Sequence, residues 1–262
     1  MREIAEVRGR GVVGTRGWIC LAGCLLLTAG AQAAMSSSEA VATVLNSRNA
    51  CGAKKFAEAK EIVEREARAG KPLQQFVVGV TTDDPELKRH CLDASRDKIR
   101  LLAEKKGNPL AWYLLSMEKN DFKLLQKAAK GGNVQALNAL GTIATQEAFS
   151  HGTISSNALE RILKRSYDCF RQAAAQRDPN GFINLGTCYL RGFGCKQDMA
   201  LAFACFKAAA EAGHPEGMDN MSACYQFGHG IEKNNELCLY WAMRGRAIRG
   251  DEAAAKWLRE RK

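Results

Sequence analysis

Between Phe182 and Ala210 the apolar positions recur at the spacing of an α-helix. Phe182, Leu185, Gly186, Cys188 and Tyr189 form one set; Leu201, Ala202, Cys205, Phe206, Ala208 and Ala209 form the next. Recurrence at i, i+3, i+4 and i+7 predicts an amphipathic helix, whereas a strand would alternate, and no alternating stretch of useful length occurs. Between such sets the chain repeats one kind of punctuation: a small residue, a glycine, one or two polar residues, then a new apolar set. It stands around Gly70, Gly107, Gly132, Asp178 and Gly213. Glycine ends a helix in the left-handed region, and proline fits the first turn of the next. The pattern predicts helix–turn–helix throughout.

The stretch after Pro179 returns without a gap after Pro215. Gly181 falls on Gly217, Cys188 on Cys224, Tyr189 on Tyr225, Gly192 and Gly194 on Gly228 and Gly230, and Leu201 on Leu237. Self-similarity at a fixed period marks a solenoid, in which stacked units supply a core that none can form alone. Earlier copies are less regular. The copy from Pro109 is contracted, with Asn120-Asp121 as a tight turn. The copy from Val134 carries an insertion, "FSHGTISSN", expected to lengthen its loop. The expected fold is all-α, a right-handed αα-solenoid of about five helix pairs. Divergent repeats are expected over 53–132 and regular ones over 133–250. Residues 251–262 are expected to form a capping helix, with Ala253, Ala254, Trp257 and Leu258 covering the last repeat. The aromatics Phe182, Tyr189, Phe206, Tyr225, Trp241 and Trp257 fall on core positions of this pattern.

Asn184-Leu185-Gly186, Tyr189, Gly192-x-Gly194, Asp198, Ala202, Ala209-Ala210 and Gly213 resemble a Sel-1-like repeat, a relative of the tetratricopeptide repeat. The resemblance is strongest over 179–250 and fades through 121–178 and 53–120. Cys195 replaces the usual Val, Cys205 the usual Trp, Asn234 the Asp and Cys238 the inner Ala, while Trp241 fits. The resemblance implies a scaffold whose concave surface, lined by the first helix of each pair, binds a protein or peptide. By that analogy the groove displays Gln135, Asn138, Thr142 and Gln146, then Asn180, Thr187 and Arg191, then Glu216, Asp219 and Gln226.

Exported, cysteine-rich bacterial members of this family are often described as β-lactamase-like. A hydrolase acting on β-lactams or peptidoglycan is therefore the competing expectation. Two S-x-x-K matches exist, Ser95–Lys98 and Ser116–Lys119, but neither S-D-N nor K-T-G accompanies them. G-x-S-x-G, H-E-x-x-H and a phosphate-binding glycine loop do not occur either. A non-enzymatic scaffold without cofactor or metal is the expectation. His90, His151, His214 and His229 are scattered over loops and helix ends and are expected at the surface, although His229 beside Cys195 on adjacent loops offers a conceivable metal pair.

The first residues add a location. Four arginines (Arg2, Arg8, Arg10, Arg16) precede the apolar run "WICLAGCLLLTAG", and Ala31-Gln32-Ala33 follows. That order is a secretory signal, with cleavage expected after Ala33 and a lead segment over 34–52. Leu21-Ala22-Gly23-Cys24 matches a lipobox, but the apolar run continues past Cys24, which argues against lipidation there. An uncleaved anchor is the third alternative. Removing residues 1–33 takes away four arginines and two glutamates, lowering the net charge from +10 to +8. Bases are mostly interleaved with acids, as in "KKFAEAKEIVEREARAGK", which reads as a solvated helix face. No basic and aromatic face suggests nucleic acid, and no later stretch is long and apolar enough to span a membrane. The expected partner is a protein or peptide of the cell envelope, met in the periplasm or outside the cell.

Of ten cysteines, Cys20 and Cys24 leave with the signal, and the remaining even number favours disulfides in an oxidising compartment. Cys169 and Cys188 lie about equally far from the turn near Asp178, and Cys205 and Cys224 likewise around His214. Bridges Cys169–Cys188 and Cys205–Cys224 are expected from that symmetry. Cys51–Cys91 and Cys195–Cys238 are the weaker remaining pairings. Reduced thiols filling core positions are the alternative.

Overall fold

The computed structural model describes residues 35–46, 53–150 and 155–261; the expected signal segment with Cys24, the thiol Cys51 and His151 lie outside the described residues. The punctuation read in the sequence sets the helices. Each of the five prolines opens one: α3 (Pro72–Thr81), α4 (Pro85–Lys106), α5 (Pro109–Lys119), α9 (Pro179–Arg191) and α11 (Pro215–Phe227). Side chains cap the starts. Asp84 accepts from the Glu86 amide at 2.9 Å, Asn108 from Ala111 at 3.0 Å, and Asp178 from Gly181 at 2.8 Å. Each satisfies an amide that the first turn leaves without a carbonyl. Gly70, Gly107, Gly132, Gly213 and Gly250 end helices at positive φ; at the corresponding turn before Asp178 that place is taken by Arg177, at φ +62°.

The other helices are α1 (Ser37–Leu45), α2 (Ala53–Arg68), α6 (Phe122–Lys130), α7 (Val134–Ser150), α8 (Ser156–Ala175), α10 (Met199–Glu211), α12 (Asn235–Ile248) and α13 (Glu252–Arg259). Residues 36–262 form one body in which consecutive helices pack as antiparallel pairs, α1/α2 through α11/α12. Six pairs therefore stand where about five were expected, because the lead segment supplies α1. Asn120 takes positive φ and Asp121 caps α6, so the contracted copy turns where expected. The insertion behaves differently from the expectation. Its residues Phe149 and Ser150 end α7, and Ser156 and Asn157 open α8; these helices have 17 and 20 residues, against 13 each in α9 and α10.

Close contacts recur with the period. A Cβ on Gly181 would lie 2.6 Å from the Ala174 amide, and one on Gly217 would lie 2.7 Å from that of Ala210. A Cβ on Gly141 would lie 2.5 Å from the Phe170 ring, and one on Gly186 would lie 2.7 Å from that of Phe206. Each glycine lets a helix approach its neighbour where a side chain would hold it off. The core follows as successive clusters. One holds Ala128, Ala136, Leu137 and Ala173, the next Phe170, Ala174, Leu185 and Cys188, and the last Ala202, Phe206, Met218, Met221 and Cys224. Tyr189, Tyr225 and Trp241 pack against the last cluster and Phe182 against the middle one, as their positions predict. At the end α13 packs on α12, with Ala254 buried and Asp251 capping it through the Ala254 amide at 3.0 Å.

The first helices α1, α3 and α5, and again α7, α9 and α11, touch their successors, and these contacts are more extensive than those between consecutive second helices. The first helices therefore form the tighter, inner layer of the superhelix. Whatever their free faces carry looks into its concave side.

Candidate functional site

Four of the ten expected groove residues come together. Gln135, Asn138 and Thr142 of α7 and Asn180 of α9 border one open cavity of about 240 Å³. Asn184, Asn46, Leu45, Ala139 and Tyr113 complete it, so every wall belongs to a first helix or its end. The polar lining is largely uncharged carboxamide. Gln135 donates to the Asn46 side chain at 3.4 Å and accepts from Asn133 at 3.1 Å. Asn138 donates to Asp178 Oδ2 at 2.7 Å, the same carboxylate oxygen that caps α9. This contact ties the groove wall to the next repeat and leaves Asn138 Oδ1 buried without a partner among the described residues.

His214 supports the opposite wall. It was expected at the surface but is 3% exposed, at the N-terminus of α11, with Nε2 3.1 Å from Asn180 Oδ1. That contact places the neutral ring's proton on Nε2, while Nδ1 has no partner among the described residues. Burial first, and then the nearby Arg249, push its pKa down to about 4, with Asp219 opposing.

The other expected groove residues lie outside this cavity. Thr187 spends its hydroxyl on the Ile183 carbonyl at 3.0 Å, and Arg191 stands over the Phe193 ring at 6.0 Å. Asp219 is taken up by an ion pair with Arg249. Gln146, Glu216 and Gln226 are exposed on α7 and α11. Sequence reasoning missed Asn184, Asn46 and Tyr113. Asn184 follows Asn180 by one helical turn, so the signal was present, but it was absorbed into the Asn-Leu-Gly motif. Asn46 carried no signal, because the lead segment had no predicted helix.

None of the expected bridges Cys169–Cys188, Cys205–Cys224 and Cys195–Cys238 is closed in this structure. Cys91, Cys169, Cys188, Cys195, Cys205, Cys224 and Cys238 are all free thiols. Equidistance from a turn does not make two residues face each other; the helix phase must also agree. Cys188 gathers with Cys195 and Cys205 in one cluster beside Phe170 and Leu185. The Cys195 thiol reaches the Cys188 carbonyl at 3.5 Å. Burial pushes the pKa of Cys188 and of Cys205 up to about 12, which keeps both protonated and poorly nucleophilic at neutral pH.

The two S-x-x-K serines are packing residues. Ser95 is fully buried and donates to the Cys91 carbonyl at 2.6 Å; Ser116 is 6% exposed and donates to Tyr113 at 2.6 Å. Ser116 also borders an open cavity of about 230 Å³, which neither Lys98 nor Lys119 lines. His229 stacks on Phe227, and among the described residues no group of three or more His, Cys, Asp or Glu is placed to hold a metal.

The family model of the Sel1 repeat matches residues 122–133, 183–214 and 215–242. The chain carries Sel1 repeats. The matched stretches coincide with α6 and its glycine turn, most of α9 with α10, and α11 with the first half of α12. They leave out 134–182, the stretch that carries the insertion. Among solved structures, a Sel1 repeat protein from Oxalobacter formigenes is 24% identical over 48% of this chain and 90% of its own, with a TM-score of 0.42. A protective antigen present in uropathogenic Escherichia coli strains, displaying an SLR fold, is 17% identical. That likeness covers 84% of this chain and 56% of the antigen, with a TM-score of 0.34. No curated protein matches the sequence. Sel1 repeat proteins generally mediate protein–protein interaction, and the scaffold is typically non-catalytic.

Proposed function

We propose that this Sel1 repeat protein is an exported, non-enzymatic scaffold whose amide-lined groove holds an extended peptide segment of an envelope protein. The observation that carries the reading is the convergence of Gln135, Asn138, Asn180 and Asn184 on one concave surface. A carboxamide offers both a donor and an acceptor, as a peptide bond does, and carries no charge to desolvate. A row of them suits the backbone of an extended chain, whose own groups lack partners. The secretory order of residues 1–33 supports export.

The test is a photo-crosslinking amino acid placed at Thr142, on the groove, and separately at Gln172, exposed on α8. In cells that make the protein, specific adducts are expected from position 142 and not from 172, in the periplasmic or secreted fraction. Adducts confined to 172 would remove the groove assignment, and recovery of the full-length chain from the cytoplasm would remove export.

Export also makes a prediction about the thiols. Cys188, Cys195 and Cys205 share one cluster, so oxidation is expected within this trio. Non-reducing peptide mapping of the exported protein should find any disulfide there. A Cys169–Cys188 or Cys205–Cys224 linkage would show that the helices take a different phase.

A further inference from the structure

The extra turns of α8 build a second concavity away from the groove. Cβ atoms on Gly194 and Gly230 would meet the carbonyl groups of Leu163 and Met199, the second of which opens α10. Leu163 thus marks where α8 would begin if it matched α10, and residues 156–162 are surplus to the repeat. They add roughly 10 Å of helix at 1.5 Å per residue, which overhangs the loop at Gly192–Gly194. Beneath them lies a cleft of about 660 Å³ that shares no lining residue with the amide groove.

Its chemistry differs from that of the groove. Half-buried Leu159 and Leu163 offer an apolar floor, while Arg161, Lys164 and Lys196 stand exposed around it, with Glu160 the one acid. Lys164 is paired with Asp168 at 3.2 Å; Arg161 and Lys196 make no ion pair among the described residues. The geometry points to a docking site for an acidic peptide segment of a partner protein, with an apolar residue between its carboxylates. The apolar side chain rests on Leu159 and Leu163, and the flanking carboxylates meet Arg161 and Lys196. A guanidinium can take a carboxylate through two parallel hydrogen bonds. The excess of positive charge over the whole chain draws such a segment in. A lipid surface or a nucleic-acid backbone supplies anions but no side chain that reaches the recessed leucines.

The experiment uses the full mature chain and a fluorescein-labelled short peptide of alternating Glu and Leu, followed by anisotropy. Binding is expected, and the double variant Arg161→Glu/Lys196→Glu should weaken it by roughly tenfold or more. Leu159→Ser should weaken it as well, and the Leu159 effect should persist at about 0.5 M salt, where exposed charges are screened. The control Lys54→Glu/Lys88→Glu, exposed lysines of α2 and α4, should leave affinity within about twofold. Equal losses in the control and the cleft variants would reduce the effect to net charge and overturn the site. Insensitivity to Leu159→Ser would overturn the apolar anchor. Binding of mixed phosphatidylcholine–phosphatidylglycerol vesicles that depends on Arg161 and Lys196, without binding of the peptide, would replace the peptide by a membrane surface. Loss of crosslinking at Thr142 would leave this proposal standing, because the two sites share no residue.

Discussion

Gly194→Ala is expected to lower the stability of the solenoid by about 2–4 kcal/mol, combining overpacking with left-handed strain. At roughly 2–4 °C per kcal/mol for a chain of this size, the midpoint of thermal unfolding should fall by about 5–15 °C. Two effects add. The residue sits at φ +68°, where a Cβ crowds its own backbone, and that Cβ would also lie 2.5 Å from the Leu163 carbonyl carbon and 2.7 Å from Lys164 Cα. Backbone atoms of a helix cannot swing aside as a side-chain tip can. Gly192→Ala in the same loop separates the two causes. It has φ +72°, but its nearest neighbour, the Cys195 carbonyl oxygen, lies 3.5 Å away. It should lose only the strain, about 1 kcal/mol. Differential scanning calorimetry of both variants decides the matter, and equal losses would refute the tight seating of the loop on α8.

The same contact explains why part of the molecule was legible in its sequence. A glycine with positive φ against a helix backbone tolerates no substitute, so Gly194 and Gly230 keep the period visible while other positions drift. The prolines and the Asp or Asn caps act likewise, because each answers a local backbone demand that residue type alone reveals. The groove was legible only in outline. The resemblance to tetratricopeptide repeats put Gln135, Asn138, Thr142 and Asn180 on first helices, but the curvature that makes them converge comes from packing between α7 and α9. Asn46 enters from a segment far away in the chain. The cysteine pairing was only partly legible, for a related reason. Counting residues from a turn gives height along a helix pair, not the direction in which a side chain leaves the helix. At Cys188 that direction is toward Cys195 and Cys205. Nor could the sequence show that α7 runs on to Ser150 and that α8 opens at Ser156, since a glycine between polar residues reads as a loop.

His214 should make the protein acid-sensitive in a window set by its own burial. Its pKa in the folded chain is pushed down to about 4, against an ordinary value of 6.5. The folded state therefore binds fewer protons than the unfolded state between these values, and stability rises with pH across them. The contribution is fully present above pH 6.5 and is lost as pH falls toward 4. Below that value both states hold the proton and the loss is complete. Each tenfold difference in proton affinity between the two states is worth about 1.4 kcal/mol, so the loss amounts to about 3 kcal/mol. The cause is structural: Nε2 already donates to Asn180, and a proton on Nδ1 would point into protein with nothing to accept it. Carboxylates titrate in the same range, so the measurement is a difference. Urea unfolding of the parent and of His214→Asn is compared at pH 7.5 and 4.5. Asparagine caps α5 and α12 elsewhere in the chain and carries no titrating group. The parent should lose roughly 2–3 kcal/mol more than the variant over that interval. Identical losses would mean that the folded protein accommodates the imidazolium, and that Asn180, with the groove wall it forms, is not held by a neutral ring.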